Sequence, residues 1–252
     1  MNGRRPAVPP GFTLLPLDAI DSTNEEALRQ AEAGAPDGLV VWAREQTAGR
    51  GRRGRGWISS RGNCFSSVLL RPMVPPLEAA RLSFLVAVAV AEMLDRLVPD
   101  ASRIGCKWPN DVLVEGAKIS GILLESRMSV EGRVDRLVIG TGINVASAPE
   151  GTPYATTSMA AHGATASVET VLETYLERLA AWLGRWRTGG FAPVREAWLA
   201  RADGLGKPVR VMLPDGAVDG VFESLDASGA MVLRGENGER TRITAGDVYR
   251  SA

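Results

Sequence analysis

Residues 49–57 read GRGRRGRGW. Gly49, Gly51 and Gly54 stand at G-x-G-x-x-G spacing, and Arg50, Arg52, Arg53 and Arg55 put four guanidinium groups into six positions. Guanidinium forks pair with phosphate or carboxylate, and glycine lets the backbone approach a ligand closely. The chemistry these residues suit is the enclosure of an anionic ligand. Three further stretches carry polar groups. KWPND (107–111) gathers Lys107, Asn110 and Asp111 around a turn stiffened by Pro109. AKISGILLES (117–126) sets Lys118 at the head of an apolar strand, ahead of Gly121. GTGINV (140–145) is a glycine-spaced strand with one amide, Asn144. Taken alone, a lysine opening a buried strand reads as an edge residue whose amine reaches water.

The loop has several readings. A dinucleotide-binding turn must open a helix, whose N-terminus holds the pyrophosphate. Here WISSRGNCFSSVLL continues as loop and strand. The G-x-x-x-x-G-K-[ST] phosphate loop has no match. An arginine–glycine RNA-binding tract is usually disordered, whereas this one lies between two strand signals. A plain solvated turn is the ordinary fate of a charge run, but it gains nothing from mutual arginine repulsion or from glycine entropy. A lid that closes over an anion gains from both. Such a lid is expected to be mobile when empty, its arginines having no anion to face.

These groups must be positioned by neighbouring elements. Residues 22–33 read as a helix, with Ser22 and Glu25 at capping-box spacing and Gly34 and Pro36 ending it. Residues 38–46 and 64–70 read as strands, and 77–98 as one long, mostly apolar helix. The turn Glu115-Gly116 marks a hairpin, 136–145 a buried strand, and 168–187 an amphipathic helix. After Gly204-Leu-Gly-Lys-Pro208, short strands alternate with turns, which predicts a small appended barrel that need not share one core with the rest of the chain.

Composition narrows the class. Lysine plus arginine and aspartate plus glutamate both total 29, so no basic excess marks a nucleic-acid binder. The basic N-terminus lacks the apolar stretch of a secretory signal. The uncharged run Leu82–Ala91 is too short to span a bilayer. Cys64 and Cys106 have no metal-ligand spacing and are expected as free thiols in a reducing cytoplasm. With His162 the only histidine, no metal site is expected.

STN (22–24), EQTAGRGRRGRGW (45–57), KWPND, AKISGILLES and GTGIN, in this order, resemble the catalytic domain of the biotin protein ligases. The resemblance runs from about residue 15 to 200, and the C-terminal residues are similar to that family's SH3-like domain. It implies an α+β fold, with a mixed or antiparallel sheet packed with helices (class II synthetase-like), divided as 1–203 and 204–252. It implies that Ser22, Thr23, Asn24, Gln46, Arg50, Gly51, Arg52, Lys118 and Gly121 contact biotin. Arg50, Arg52, Arg55, Trp57, Lys107, Asn110, Lys118 and Asn144 would contact the nucleotide. Lys118, Arg52 and Asp111 would act in catalysis. The implied substrates are biotin and ATP with Mg²⁺, with no tightly bound cofactor, and the partner a biotin carboxyl carrier domain. Only 21 residues precede Ser22, so the expected form is the enzyme without a DNA-binding domain. Pairing of an exposed strand with the carrier or with a second copy stays open. Two rivals are a lipoate–protein ligase, which shares the strand lysine, and a non-catalytic RNA-binding module.

Overall fold

A computed structural model describes residues 4–99 and 103–250. The chain begins β1 (Thr13–Leu17), α1 (Thr23–Glu32), β2 (Leu39–Ala43), β3 (Cys64–Leu70), α2 (Pro76–Ala80) and α3 (Leu82–Leu97). It continues β4 (Ile104–Lys107), β5 (Asp111–Val114), β6 (Ala117–Met128), β7 (Val134–Ile143), α4 (Val168–Gly189) and α5 (Phe191–Leu199). It finishes β8 (Pro208–Leu213), β9 (Gly216–Leu225), β10 (Met231–Arg234), β11 (Arg240–Ile243) and β12 (Asp247–Arg250). The first seven strands form one mixed sheet, ordered β1-β2-β3-β7-β6-β5-β4 and parallel only between β1 and β2. The last five form an antiparallel sheet, ordered β11-β10-β9-β8-β12. This is the expected α+β architecture with a small β unit behind it. No helix among the described residues is long and apolar enough to cross a membrane.

Strand alternation sorts the large sheet's two faces. Val40, Trp42, Val68, Leu70, Leu137 and Ile139 point to one face, under α3 and α4. Leu39, Val41, Leu69 and Val138 point to the other, where they meet Ala27, Leu28 and Ala31 of α1. The helical side is mostly apolar: Leu82 to Ala91 are all buried, as that uncharged run requires, and Thr141 Oγ1 lies 3.0 Å from the Tyr175 hydroxyl within it. On the α1 side the apolar patch stops short. Further along the same face stand Phe65 and Ser67 on β3, Gly140 and Gly142 on β7, and Gly121 and Leu123 on β6. Three glycines and a serine there leave a cleft.

Several elements depart from expectation. The helix predicted over 77–98 is two, broken at Arg81. The second segment is buried on every side from Leu82 to Ala91, while the first carries an exposed Leu77, so one axis cannot serve both. Ser22 caps α1 by position without a side-chain bond, and Glu25 pairs with Arg50 instead of closing a capping box. α5 follows Gly190, whose φ of 62° turns the chain sharply after α4. Its signal was Phe191, Val194 and Trp198 at helical spacing, all buried.

The C-terminal sheet does not keep a separate core. Trp198 lies 5.4 Å from Phe84 and 6.4 Å from Phe222, ring to ring, joining α3, α5 and β9. Phe222, Leu225 and Met231 belong to the same buried cluster as α3. The expectation that the barrel need not share a core with the rest of the chain is therefore not met.

Candidate active site

Two cross-strand rows build the cleft floor. The register pairs Lys107 with Asp111, Asp111 with Gly121, Gly121 with Gly142, and Gly142 with Phe65. The second row pairs Leu123 with Gly140 and Gly140 with Ser67. Cross-strand partners share a face, so residues scattered along the chain come to one surface. The glycines are required by what lies on them. A Cβ at Gly142 would fall 2.5 Å from the Trp57 indole, and one at Gly121 would fall 2.8 Å from it. A Cβ at Gly140 would collide with Asn24 Oδ1.

The lid is folded over this floor. Trp57 N–H donates to Gly49 O at 2.9 Å, and Gly51 N–H donates to Arg55 O at 2.7 Å, making a small hairpin. Its tip is one 3-10 turn, Arg52–Gly54, with Arg53 at φ 55°. The arginines do have anions to face, contrary to expectation, and the protein supplies them. Arg50 pairs with Glu25 and, at 2.6 Å, with Glu125. Arg53 and Arg55 both reach Asp247 on β12. Arg52 alone turns inward, donating to Asn110 Oδ1 at 2.8 Å. Burial pulls its guanidinium below the ordinary arginine range, and Asp247 acts in the opposite direction.

At one end of the cleft, the turn into α1 meets a hydrogen-bonded chain. Thr23 N–H and Oγ1 donate to Gln46 Oε1 at 2.9 and 3.0 Å. Ser67 Oγ lies 2.8 Å from Thr23 Oγ1 and 2.6 Å from Asn24 Oδ1. Asn24 Nδ2 donates to Glu125 at 2.8 Å, and Gln46 Nε2 donates to Ser59 of the lid at 2.9 Å.

At the other end stand the cations. Lys118 Nζ lies 2.8 Å from Asp111 Oδ1, an ion pair off the line of a well-formed hydrogen bond. The same amine faces the rings of Trp57 and Tyr154 at 5.4 and 5.2 Å. Lys107 Nζ faces the Tyr249 ring at 5.6 Å, and burial lowers its pKa, partly offset by Asp111. The cleft encloses about 1160 Å³ including its open mouth.

Of the residues singled out from sequence, Ser22, Thr23, Asn24, Gln46, Arg50, Gly51, Arg52, Arg55, Trp57, Lys107, Asn110, Asp111, Lys118 and Gly121 all line this cleft. Asn144 does not. It is buried, and its Nδ2 donates to Thr157 O at 3.0 Å, tying the end of β7 to the loop before α4. Sequence reasoning missed Ser67, Glu125, Asp247 and Tyr249. Period-two alternation from Gly121 through Leu123 points to Glu125, and from Phe65 to Ser67. Nothing local marks Asp247 or Tyr249. Cys64 and Cys106 are buried free thiols, each pushed up to about 12 by burial and so unreactive near neutral pH.

Comparison with known proteins bears on this arrangement. The sequence pattern of the biotin/lipoate A/B protein ligase family matches residues 17–144. The chain belongs to the biotin/lipoate A/B protein ligase family. Residues 204–251 match the biotin protein ligase C terminal domain. Among its relatives is the biotin–[acetyl-CoA-carboxylase] ligase of Paracoccus denitrificans, 44% identical over 240 residues, covering 92% of this chain and 98% of that one. The enzyme of the same name from Mycobacterium tuberculosis is 37% identical, over 90% of this chain and 85% of its own. Among solved structures, the biotin protein ligase from Aquifex aeolicus in complex with biotin and ATP superposes with a TM-score of 0.80. It is 28% identical and covers 95% of this chain and 99% of that one. Within this ligase family fold, the lid, the hydrogen-bonded chain and the lysine pair all belong to one cavity.

Proposed function

We propose that this chain is a biotin protein ligase. It activates biotin with ATP to biotinyl-5'-AMP and transfers the biotinyl group to a lysine of a biotin carboxyl carrier domain. One observation carries the reading. A single cleft joins a neutral, hydrogen-bonding end at Thr23, Asn24 and Gln46 to a cationic end at Lys118, Lys107 and Arg52. Biotin has the same polarity, a neutral ureido head and a carboxylate tail. The lipoate alternative is not favoured, because a dithiolane offers no hydrogen-bonding head for the amide chain.

In the first step a biotin carboxylate oxygen bonds to the α-phosphorus of ATP and pyrophosphate leaves. Two anions must meet, so cations held in a partly buried site lower the barrier. Lys118 neutralises the carboxylate and the α-phosphate, and Arg52 and Lys107 face the nucleotide. Mg²⁺ enters with ATP as substrate. In the second step the acceptor amine attacks the acyl carbon and AMP departs. Asp111, released from Lys118 when substrate anions take its place, accepts hydrogen bonds from the incoming amine. The lid, from Thr47 to Ser60, excludes water from the mixed anhydride. Residues 1–203 carry the catalysis, and 204–252 supply Asp247 and Tyr249 to its rim.

Biotin-dependent exchange of labelled pyrophosphate into ATP tests this directly. Exchange is expected with biotin and not with lipoate. Exchange driven by lipoate alone would replace the assignment.

Gly142→Ala tests the floor. Its Cβ would occupy the place of the Trp57 indole, which must then lift with the lid. Overpacking of this kind costs about 1–3 kcal/mol, and 1.4 kcal/mol is about tenfold in affinity. The expected result is a biotin KM raised roughly tenfold or more, with a thermal midpoint close to the parent's. An unchanged KM would show that Trp57 does not rest on the floor when biotin binds.

A further inference from the structure

The lid's tip is held from outside the catalytic sheet. Arg53 Nη1 lies 3.0 Å from Asp247 Oδ2, and Arg55 Nη2 lies 3.2 Å from Asp247 Oδ1. Asp247 opens β12, the edge strand of the C-terminal sheet, so a single carboxylate joins the two units across the mouth of the cleft. Its side chain is 25% exposed, and those of Arg53 and Arg55 are 42% and 51% exposed.

Geometry explains why one anion serves two arginines. Arg52, Arg53 and Arg55 share one tight turn, where like charges repel. The left-handed backbone at Arg53 swings its side chain away from that of Arg52. Arg53 and Arg55 thus fork onto Asp247, while Arg52 points inward to Asn110.

We propose that Asp247 is a positioning residue for the lid: by gathering Arg53 and Arg55 at the C-terminal sheet it closes the lid's tip and turns Arg52 into the cleft. Asp247 touches no reacting atom in this role. It sets how long the lid stays shut, and hence how well a water-labile acyl adenylate is kept until an acceptor amine arrives. That last consequence rests on the ligase reading above. The latch does not, since it is made wholly of this chain's own side chains.

The test uses the full-length protein in two arms. In the first, amide hydrogen exchange is followed without ligand in peptides spanning residues 47–60, where Gly51 and Trp57 N–H close the lid's own hairpin. Asp247→Asn is expected to speed their exchange roughly tenfold while leaving peptides from β3, β6 and β7 unchanged. In the second, enzyme loaded with biotin and ATP is held without acceptor, and AMP release to water is measured. Asp247→Asn and Arg53→Gln/Arg55→Gln are both expected to leak AMP roughly tenfold faster. The charge-swapped pair Arg53→Glu/Asp247→Arg is expected to leak less than either of its single variants. Lid exchange and leak at parental levels in Asp247→Asn would overturn the latch, as would a swap no better than its singles. Absence of biotin-dependent turnover in the parent would instead overturn the ligase reading, and the exchange arm would still decide the latch. Should Asp247→Asn fail to fold, the double arginine variant on the exposed lid carries both arms.

Discussion

Lys118→Gln is expected to abolish adenylation while the protein keeps its fold. The lysine reaches the cleft from β6, with its amine against Asp111 and between the rings of Trp57 and Tyr154. Its side chain is only 15% exposed. A cation there is poorly screened, so it acts strongly on charge that develops beside it. Removing one such stabilising group typically costs about 3–4 kcal/mol in the transition state, or a factor of 10²–10³ in rate. Glutamine keeps most of the stem, so the floor should stay packed. Lys118→Arg is not expected to rescue, because a planar fork cannot replace a compact ammonium. Biotin-dependent pyrophosphate exchange, with a thermal melt as the fold control, reads both parts. Exchange within a few-fold of the parent would remove Lys118 from the chemistry.

Deleting residues 204–252 is expected to cost the fold, not merely the activity. Phe222 and Leu225 are fully buried and share one cluster with Phe84 and Trp198. Trp108 Nε1 donates to Gly229 O at 3.2 Å, and Arg195 Nε donates to Leu225 O at 2.7 Å, so hydrogen bonds cross the same junction. Losing the packing around a buried aromatic typically costs about 3–5 kcal/mol, against about 5–15 kcal/mol of total stability for a domain. Trp198 and Phe84 would both lose a partner. The truncated chain should be insoluble, or soluble without a cooperative thermal transition or near-ultraviolet dichroism. A soluble, cooperatively melting truncation would show that the catalytic unit can close its own core.

Much of this was legible in the chain because the signals are local. β3 matches its predicted bounds, since CFSSVLL is flanked by turn residues and buried on both faces. Ser167 caps α4 by accepting from Thr170 N–H, and its apolar stripe lies on the core side. The site was legible as far as its motifs ran, because the registers of β4 to β7 bring motif to motif. What stayed hidden depends on distant partners. The two carboxylates on Arg50, one on α1 and one on β6, have no sequence pattern in common. Asp247 lies almost two hundred residues from the arginines it holds. The capping box failed for the same reason: Glu25 suits a helix start locally, but Arg50 is the stronger partner. Asn144 had the right type in a plausible motif, and alternation along β7 does not reveal that its side chain serves a neighbouring loop.

The hydrogen-bonded chain beside α1 has a shortage built into it. Three oxygen-to-oxygen contacts link Gln46, Thr23, Ser67 and Asn24, at 3.0, 2.8 and 2.6 Å. The two amide oxygens carry no proton, and their orientations are set by Nε2 donating to Ser59 and Nδ2 donating to Glu125. Only the hydroxyls of Thr23 and Ser67 bring protons, one each, so two protons serve three contacts. Whichever way the hydroxyls rotate, one contact goes unfilled, and the choices differ in which oxygen is left wanting a donor. The arrangements are not equivalent: the Gln46 oxygen keeps the Thr23 N–H in all of them, whereas the Asn24 oxygen loses its hydroxyl donor when Ser67 turns to Thr23. On the proposed reading, a guest carrying both N–H donors and a carbonyl acceptor would select one by supplying the missing proton, whereas a guest without polar groups would leave the deficit in place. Discrimination between heads of similar size would then draw on this count of hydrogens as well as on the shape of the wall.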